Sequence, residues 1–148
     1  MGVNLKLLDT EEAATRGGRC VLVHPDTRKP LTDEGGQEAV LFLAGKDSEQ
    51  YQRTMRKQQA RRLEAAVRAR RLKNVRGEEL VEEIEQDTTA LLVAVTLGWE
   101  GITMGDGEFP YSPENAKRLY DEGPAWVSEQ AQEYIDERGN FLPPSKTT

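Results

Sequence analysis

The chain has 148 residues, of which 36% are hydrophobic, and it carries a formal net charge of -6. This length suits one ordinary domain, or a helical domain with a small appended unit, but not two independent domains. No apolar run approaches the roughly 20 residues that a transmembrane helix needs, and the negative charge argues against general binding to a nucleic-acid backbone.

The N-terminal segment, residues 1–46, is predicted to form an arm followed by a β-ribbon. Residues 1–18 are mostly polar and predict a weakly constrained arm or a short edge strand. Cys20–Val23 and Ala39–Leu43 are short apolar runs bounded by turn residues, which is typical of buried strands that pair with each other. Because two strands alone are marginally stable, this ribbon must pack on helices or be completed by another strand, from this chain or from a partner.

Residues 47–142 are predicted to form a helical domain. Ser48 to Arg76 lacks any helix breaker and predicts one long helix capped by Asp47 or Ser48. Gly77 permits a tight turn into a second helix that ends near Gly98. Apolar residues form a narrow stripe on the first helix and a wider one on the second. The stripe residues are Tyr51, Met55, Ala60, Leu63, Ala66 and Val67, and then Val81, Ile84, Thr88, Leu91, Leu92 and Val95.

The C-terminal third is predicted to hold a loop and two further helices. The loop runs over residues 99–111, and Ser112-Pro113-Glu114 follows it as a cap, a proline at the first helical position and an acid near the positive helix end. Gly123-Pro124 separates this helix from a last one, onto which Phe141 and Leu142 fold back. Residues 143–148 are predicted to be a disordered tail. The fold class is therefore mainly α (α+β), with a small N-terminal β-hairpin or ribbon followed by a bundle of about four helices.

Charge is strongly segregated along the helical domain. Half of all lysine and arginine residues lie in the first helix, whereas the second begins with a dense run of acids that starts at Glu78. Two interpretations remain open. The cations form a surface for an acidic partner or a nucleic-acid backbone, or they form a solvated face that the second helix partly neutralises in an antiparallel hairpin. The basic residues are Arg53, Arg56, Lys57, Arg61, Arg62, Arg68, Arg70, Arg71, Lys73 and Arg76.

No motif in the chain predicts chemistry. Cys20 is the only cysteine and His24 the only histidine, so an internal disulfide is impossible, and a zinc site or a catalytic triad would have to recruit His24. Gly45-Lys46 precedes a helix as in a phosphate-binding loop, but Asp47 stands where that loop requires serine or threonine. We therefore expect a protein that is not an enzyme and that needs no cofactor and no metal.

Two stretches resemble tail assembly chaperones of long-tailed bacteriophages. The stronger stretch comprises Gly98-Trp99-Glu100-Gly101-Ile102, Phe109-Pro110-Tyr111-Ser112-Pro113-Glu114-Asn115-Ala116, Leu119, Trp126-Val127 and Arg138-Gly139-Asn140-Phe141-Leu142. The weaker stretch comprises His24-Pro25-Asp26-Thr27 and Leu43-Ala44-Gly45-Lys46-Asp47-Ser48, followed by the basic helix. Together they cover most of residues 19–142.

The resemblance implies a protein of the host cytoplasm that binds the tape measure protein and the tail tube subunit and leaves before the virion is finished. Two alternatives are a structural tail or connector component of the virion, and a nucleic-acid-binding protein that uses the basic helix. Nucleic acid is the less favoured partner because no aromatic residues interleave with the cations. Self-association is possible, since no sustained heptad pattern fixes an oligomeric state.

Partner contacts are predicted at the loop and on the basic helix. The loop holds four large apolar residues among glycines, which either anchor a partner or cover the end of the helical core. The candidate residues are Trp99, Ile102, Phe109 and Tyr111 on the loop, and Arg56, Arg61, Arg62, Arg68 and Arg71 on the helix.

Overall fold

A computed structural model describes residues 2–72, 77–105 and 107–142. It contains helices α1 to α5 and strands β1 to β5, so the predicted α+β class is confirmed. The helices are α1 (Glu11–Arg16), α2 (Glu49–Leu72), α3 (Gly77–Val95), α4 (Pro113–Glu122) and α5 (Ala125–Asp136). The strands are β1 (Gly18–Val21), β2 (Val40–Leu43), β3 (Thr96–Glu100), β4 (Thr103–Met104) and β5 (Gly107–Glu108). Two 3-10 turns lie at Leu5–Leu8 and Arg138–Asn140.

The main sheet has three antiparallel strands in the order β1-β2-β3. The predicted pairing of the two apolar runs is confirmed, with Cys20 opposite Leu41 and Val21 opposite Val40. The third strand corrects the prediction of a helix that ends near Gly98 and a loop from Trp99. Helix α3 ends at Val95 instead, and β3 continues the chain along β2. The ribbon is thus completed by a strand of its own chain, which encloses the fully buried side chains of β2.

Residues 11–16 form helix α1, which corrects the prediction of an arm or a short edge strand for that part of residues 1–18. Helix α1 buries Ala13 and Ala14 against the loop before α2, where the backbone nitrogen of Gly45 donates to the oxygen of Ala14 at 3.0 Å. The Thr15 hydroxyl accepts a bond of 3.1 Å from the backbone nitrogen of Glu49 at the start of α2. Small side chains make this close approach possible, a feature that hydrophobic periodicity alone does not reveal.

The core lies between the main sheet and helices α3, α4 and α5. It is formed by buried aliphatic side chains from all four elements, chiefly Leu41, Leu43, Leu92, Val95, Leu119, Val127, Ala131 and Ile135. The Gln130 side chain connects α5 to the chain after β1, because it donates to the Val23 carbonyl at 2.8 Å and accepts from the Val23 nitrogen at 2.9 Å. The sheet and the C-terminal helices therefore share one apolar interior.

The predicted helix signals are largely confirmed. The Ser48 hydroxyl accepts from the nitrogen of Tyr51 at 3.1 Å, and the Ser112 hydroxyl accepts from the nitrogen of Asn115 at 3.0 Å. Phe141 folds back edge-on against Tyr134, with ring centroids 5.3 Å apart. The predicted turn between α2 and α3 and the predicted disordered tail, residues 73–76 and 143–148, lie outside the described residues.

Candidate partner-binding surfaces

Three of the four predicted loop residues form one aromatic cluster. The Trp99 and Phe109 rings stack with centroids 5.2 Å apart and planes inclined by 10°, and Tyr111 meets Trp99 edge-on at 5.2 Å. Hydrogen bonds fix the cluster, because the Trp99 indole donates to the Phe109 carbonyl at 2.7 Å and the Tyr111 hydroxyl donates to the Thr96 carbonyl at 2.8 Å. The Arg118 guanidinium lies 5.5 Å from the centre of the Phe109 ring.

The cluster lies against the core of the fold. Phe109 is buried and Trp99 is partly buried against the same apolar interior, while Tyr111 keeps an exposed edge. Trp99 belongs to β3 rather than to a loop, which brings its ring onto the sheet. The packing and the hydrogen bonds are those expected of residues that close the end of the core.

Ile102 lies apart from the cluster, in a cleft of about 330 Å³ between the N-terminal ribbon and the start of α5. Leu31, Met104 and Trp126 line the same cleft, and none of them was a predicted site residue. Gly101 gives the chain its turn before Ile102. Its φ is +68°, and a Cβ there would lie 2.4 Å from the carbonyl oxygen of Glu38. Only glycine fits this approach without strain.

The basic helix α2 pairs with the acidic helix α3. Asp87 is buried and accepts charge-assisted hydrogen bonds from both Arg61 and Arg62; the bond from the Arg62 Nε measures 3.1 Å. Gln58, also buried, donates to the Asp87 carbonyl at 2.8 Å. Two of the predicted partner-binding arginines therefore hold the hairpin together, as the second interpretation of the charge blocks required. Sequence reasoning gave Asp87 no special role, although it is the acid closest to the apolar half of α3.

The other predicted arginines are placed differently. Arg56 and Arg68 lie on the exposed surface of α2. Arg71 is helical, and its side chain lies outside the described part of the structure. Exposed cations thus remain on α2 after the contacts to Asp87 are made.

The outer half of the α2–α3 hairpin exposes apolar side chains. On α2, Leu63 is 68% and Val67 48% exposed; on α3, Val81 is 58% and Ile84 51% exposed. The predicted stripe on α3 is therefore buried only at its inner end, at Leu92 and Val95, and the predicted stripe on α2 is not buried at Leu63 or Val67. Both corrections have one physical reason: the hairpin extends beyond the body of the fold that would cover it.

Helix α5 covers the inner end of this hairpin. Ile135 and Gln132 of α5 face Tyr51 of α2 and Leu91 of α3 across a small cavity of about 130 Å³. Burial first, and then the negative charge of Asp136 on α5, raises the pKa of Tyr51. An acid of α5 thus lies alongside the basic helix.

Three titratable groups outside the hairpin belong to the folded core or to a turn. Burial raises the pKa of the Cys20 thiol to about 11 and that of Tyr120 to about 12. The imidazole of His24 accepts from the backbone nitrogens of Asp26 and Thr27 and so organises a turn.

Within residues 2–72, 77–105 and 107–142, no three His, Cys, Asp or Glu side chains are grouped as a metal site requires. No helix in the described part of the chain is long and apolar enough to cross a membrane.

Residues 46–139 match the sequence model of a protein family described as YdaY prophage protein. The matched region contains the α2–α3 hairpin, β3, the aromatic cluster and helices α4 and α5. Neither the curated proteins nor the solved structures contain a significant match to the chain.

Proposed function

The chain belongs to the family of YdaY prophage proteins, and we propose that this phage-derived protein is a tail assembly chaperone. In this role it binds the tape measure protein and tail tube subunits in the host cytoplasm, keeps them competent for assembly and leaves before the virion is complete. It is a binding protein without a catalytic reaction. The motif resemblance in residues 98–142 supports the tail role, which is more specific than the family match.

The observation that carries the proposal is the exposed outer half of the α2–α3 hairpin. Five large aliphatic side chains there are about half exposed or more, beside exposed cations on α2; they are Leu63, Val67, Leu80, Val81 and Ile84. Isolated surface aliphatic residues are ordinary, but a group of them on a projecting helix pair is typical of a protein interface. A tape measure protein is expected to be a long helix, and a helix can lie along such a surface.

The exposed part of Tyr111 offers a second, smaller contact, and the cleft at Ile102 is a separate third one. Trp99 and Phe109 support the contact at Tyr111, because the stacked pair holds the Tyr111 ring in place. We propose that the hairpin provides the main surface and that Tyr111 and the cleft at Ile102 add to it.

Nucleic-acid binding is less well supported. Arg61 and Arg62 are engaged by Asp87, and the paired helix α3 has no lysine or arginine but carries exposed acids such as Glu82 and Glu85. A phosphate backbone that approaches α2 would meet this negative helix. Binding to duplex DNA at moderate salt should therefore be weak and should not saturate.

The test is co-expression with the tape measure protein of the same phage, followed by affinity capture of this chain. The wild-type chain should increase the soluble fraction of the tape measure protein and retain it. The double variant Leu63→Glu and Ile84→Glu should lose both effects. Val3→Glu is the matched control, because Val3 is 78% exposed and lies outside the hairpin.

Two results would contradict the proposal. If the double variant captures the tape measure protein as well as the wild type does, the hairpin is not the binding surface. A fixed copy number of this chain in purified virions, measured by mass spectrometry, would favour the structural tail component instead.

A further inference from the structure

The apolar row of α3 is covered by a helix over its inner end only. Residues Val81, Ile84, Thr88 and Leu91 follow one another at spacings of three and four, so they lie on one side of α3. Helix α5 packs over Thr88 and Leu91, whereas Ile84 and Val81 continue the same row beyond it and are exposed. The fold itself therefore shows which kind of element fits this row, namely an amphipathic helix.

The contacts of Asp87 fix how α2 lies beside the exposed part of the row. Because the two helices are antiparallel and Asp87 pairs with Arg61 and Arg62, Leu63 lies level with Ile84, one turn further from the core. A helix that covers Ile84 and Val81 would thus lie in a groove between α2 and α3. Helix α2 forms one wall of this groove and α3 forms the other.

The two walls carry opposite charge. Arg70 stands one heptad after Leu63, which places both on the same side of the outer half of α2, and Arg70 is exposed. On α3, the exposed acid Glu85 follows Val81 by one turn. Throughout Gly77–Val95 the sequence contains no lysine or arginine, so every charge that α3 presents is negative.

We propose that the outer half of the hairpin holds an amphipathic helix with one acidic edge and one basic edge, and that the acidic edge lies along α2. The identity of this helix as part of the tape measure protein rests on the proposed function. The charge asymmetry has a geometric consequence. Reversing the direction of an amphipathic helix exchanges its two edges, so the order of the edges fixes the direction in which the helix is held.

The affinity test uses three synthetic amphipathic peptides of about 20 residues, long enough to follow the exposed hairpin. They share one apolar face. The first has one acidic and one basic edge, the second has two acidic edges and the third has two basic edges. Fluorescence anisotropy with the full-length chain should show at least about tenfold tighter binding of the first peptide than of either other. Ile84→Ser should weaken that binding by about tenfold or more, and Val3→Ser should not. Equal affinity of the three peptides would overturn the proposal.

The direction test uses a fourth peptide, in which the acidic and basic edges of the first are exchanged. A donor dye at the peptide N-terminus and an acceptor at Gly77→Cys, near the outer end of the hairpin, report which end of the peptide lies there. A Cβ at Gly77 meets no atom of the described residues within 4 Å, and the native thiol of Cys20 is buried, so the label adds little disturbance and reacts at one place. The two peptides should give opposite high and low transfer efficiencies. Identical transfer would show that the order of the edges does not set the direction of the helix, which would overturn that part of the proposal.

These outcomes are separable from the fate of the proposed function. If the tape measure protein is captured through the hairpin but the three peptides bind equally, the charge rule is wrong and the chaperone role stands. If the first peptide binds as expected but the tape measure protein is not captured, the surface stands and its partner is another helical protein.

Discussion

Replacing Asp87 by alanine should loosen the α2–α3 hairpin. The side chain of Asp87 is only 4% exposed, and it accepts hydrogen bonds from two arginines whose side chains are 56% and 48% exposed. Removing one partner of a fully buried ion pair costs about 3–5 kcal/mol, because the other charge stays buried. Arg61 and Arg62 can instead turn into water, so we expect a smaller loss of about 2 kcal/mol. For a chain of this size, that corresponds to a melting temperature lower by about 4–8 °C.

The assay is thermal unfolding followed by far-ultraviolet circular dichroism, together with amide hydrogen exchange of α3. The control is Glu83→Ala, which removes another acid of the same helix that faces Arg61 at 4.0 Å in a more exposed pair. We expect the control to change the free energy of unfolding by at most about 0.5 kcal/mol. The Asp87 variant should also speed exchange in the outer turns of α3 more than in its buried inner turns. If the two variants melt at the same temperature, the contact of Asp87 with Arg61 and Arg62 does not stabilise the hairpin.

Three further predictions concern the body of the fold. Gly101→Ala should lower the free energy of unfolding by about 1–3 kcal/mol in chemical denaturation, because its φ is positive and a Cβ would meet the Glu38 carbonyl; an unchanged midpoint would contradict this. Cys20 should resist alkylation in the native protein and react on unfolding, since burial raises its pKa to about 11, and mass spectrometry after iodoacetamide treatment reports the difference. The hydrogen bond from Arg138 is the main cause that lowers the pKa of Asp47, so this contact stabilises the fold above pH 3.8 and is lost as the pH falls through the lowered pKa. Melting temperatures measured across acidic pH should therefore fall less steeply for Asp47→Asn than for the wild type.

Local signals in the sequence were sufficient for most helices and for the first two strands. Ser112 with Pro113 specifies a helix start by chemistry that involves only neighbouring residues, and the structure has that cap. The apolar runs around Cys20 and Leu41 are too short for helices and are bounded by turn residues, which leaves buried strands as their natural state.

The candidate surface was predicted less completely, because burial depends on where the body of the fold ends. Val81 and Leu92 occupy the same row of α3 and look equivalent in the sequence, yet only Leu92 is covered. Likewise, Arg62 and Arg68 are both cations of one helix, and only the first lies opposite the buried Asp87. These roles depend on how far α2 is shifted along its axis relative to α3. Periodicity within a single helix contains no information on that shift.

The sequence by itself determined the class of the fold, the segregation of positive charge on α2 from negative charge on α3, and the match of residues 46–139 to a prophage protein family. Only the tertiary structure decided that β3 completes the N-terminal ribbon, that the Trp99 cluster lies against the core and that the hairpin ends uncovered. The physical reason is the range of the interactions. Caps, turns and helical charge depend on residues within about one or two turns, whereas strand partners and burial depend on segments such as Val40–Leu43 and Thr96–Glu100, which lie far apart along the chain.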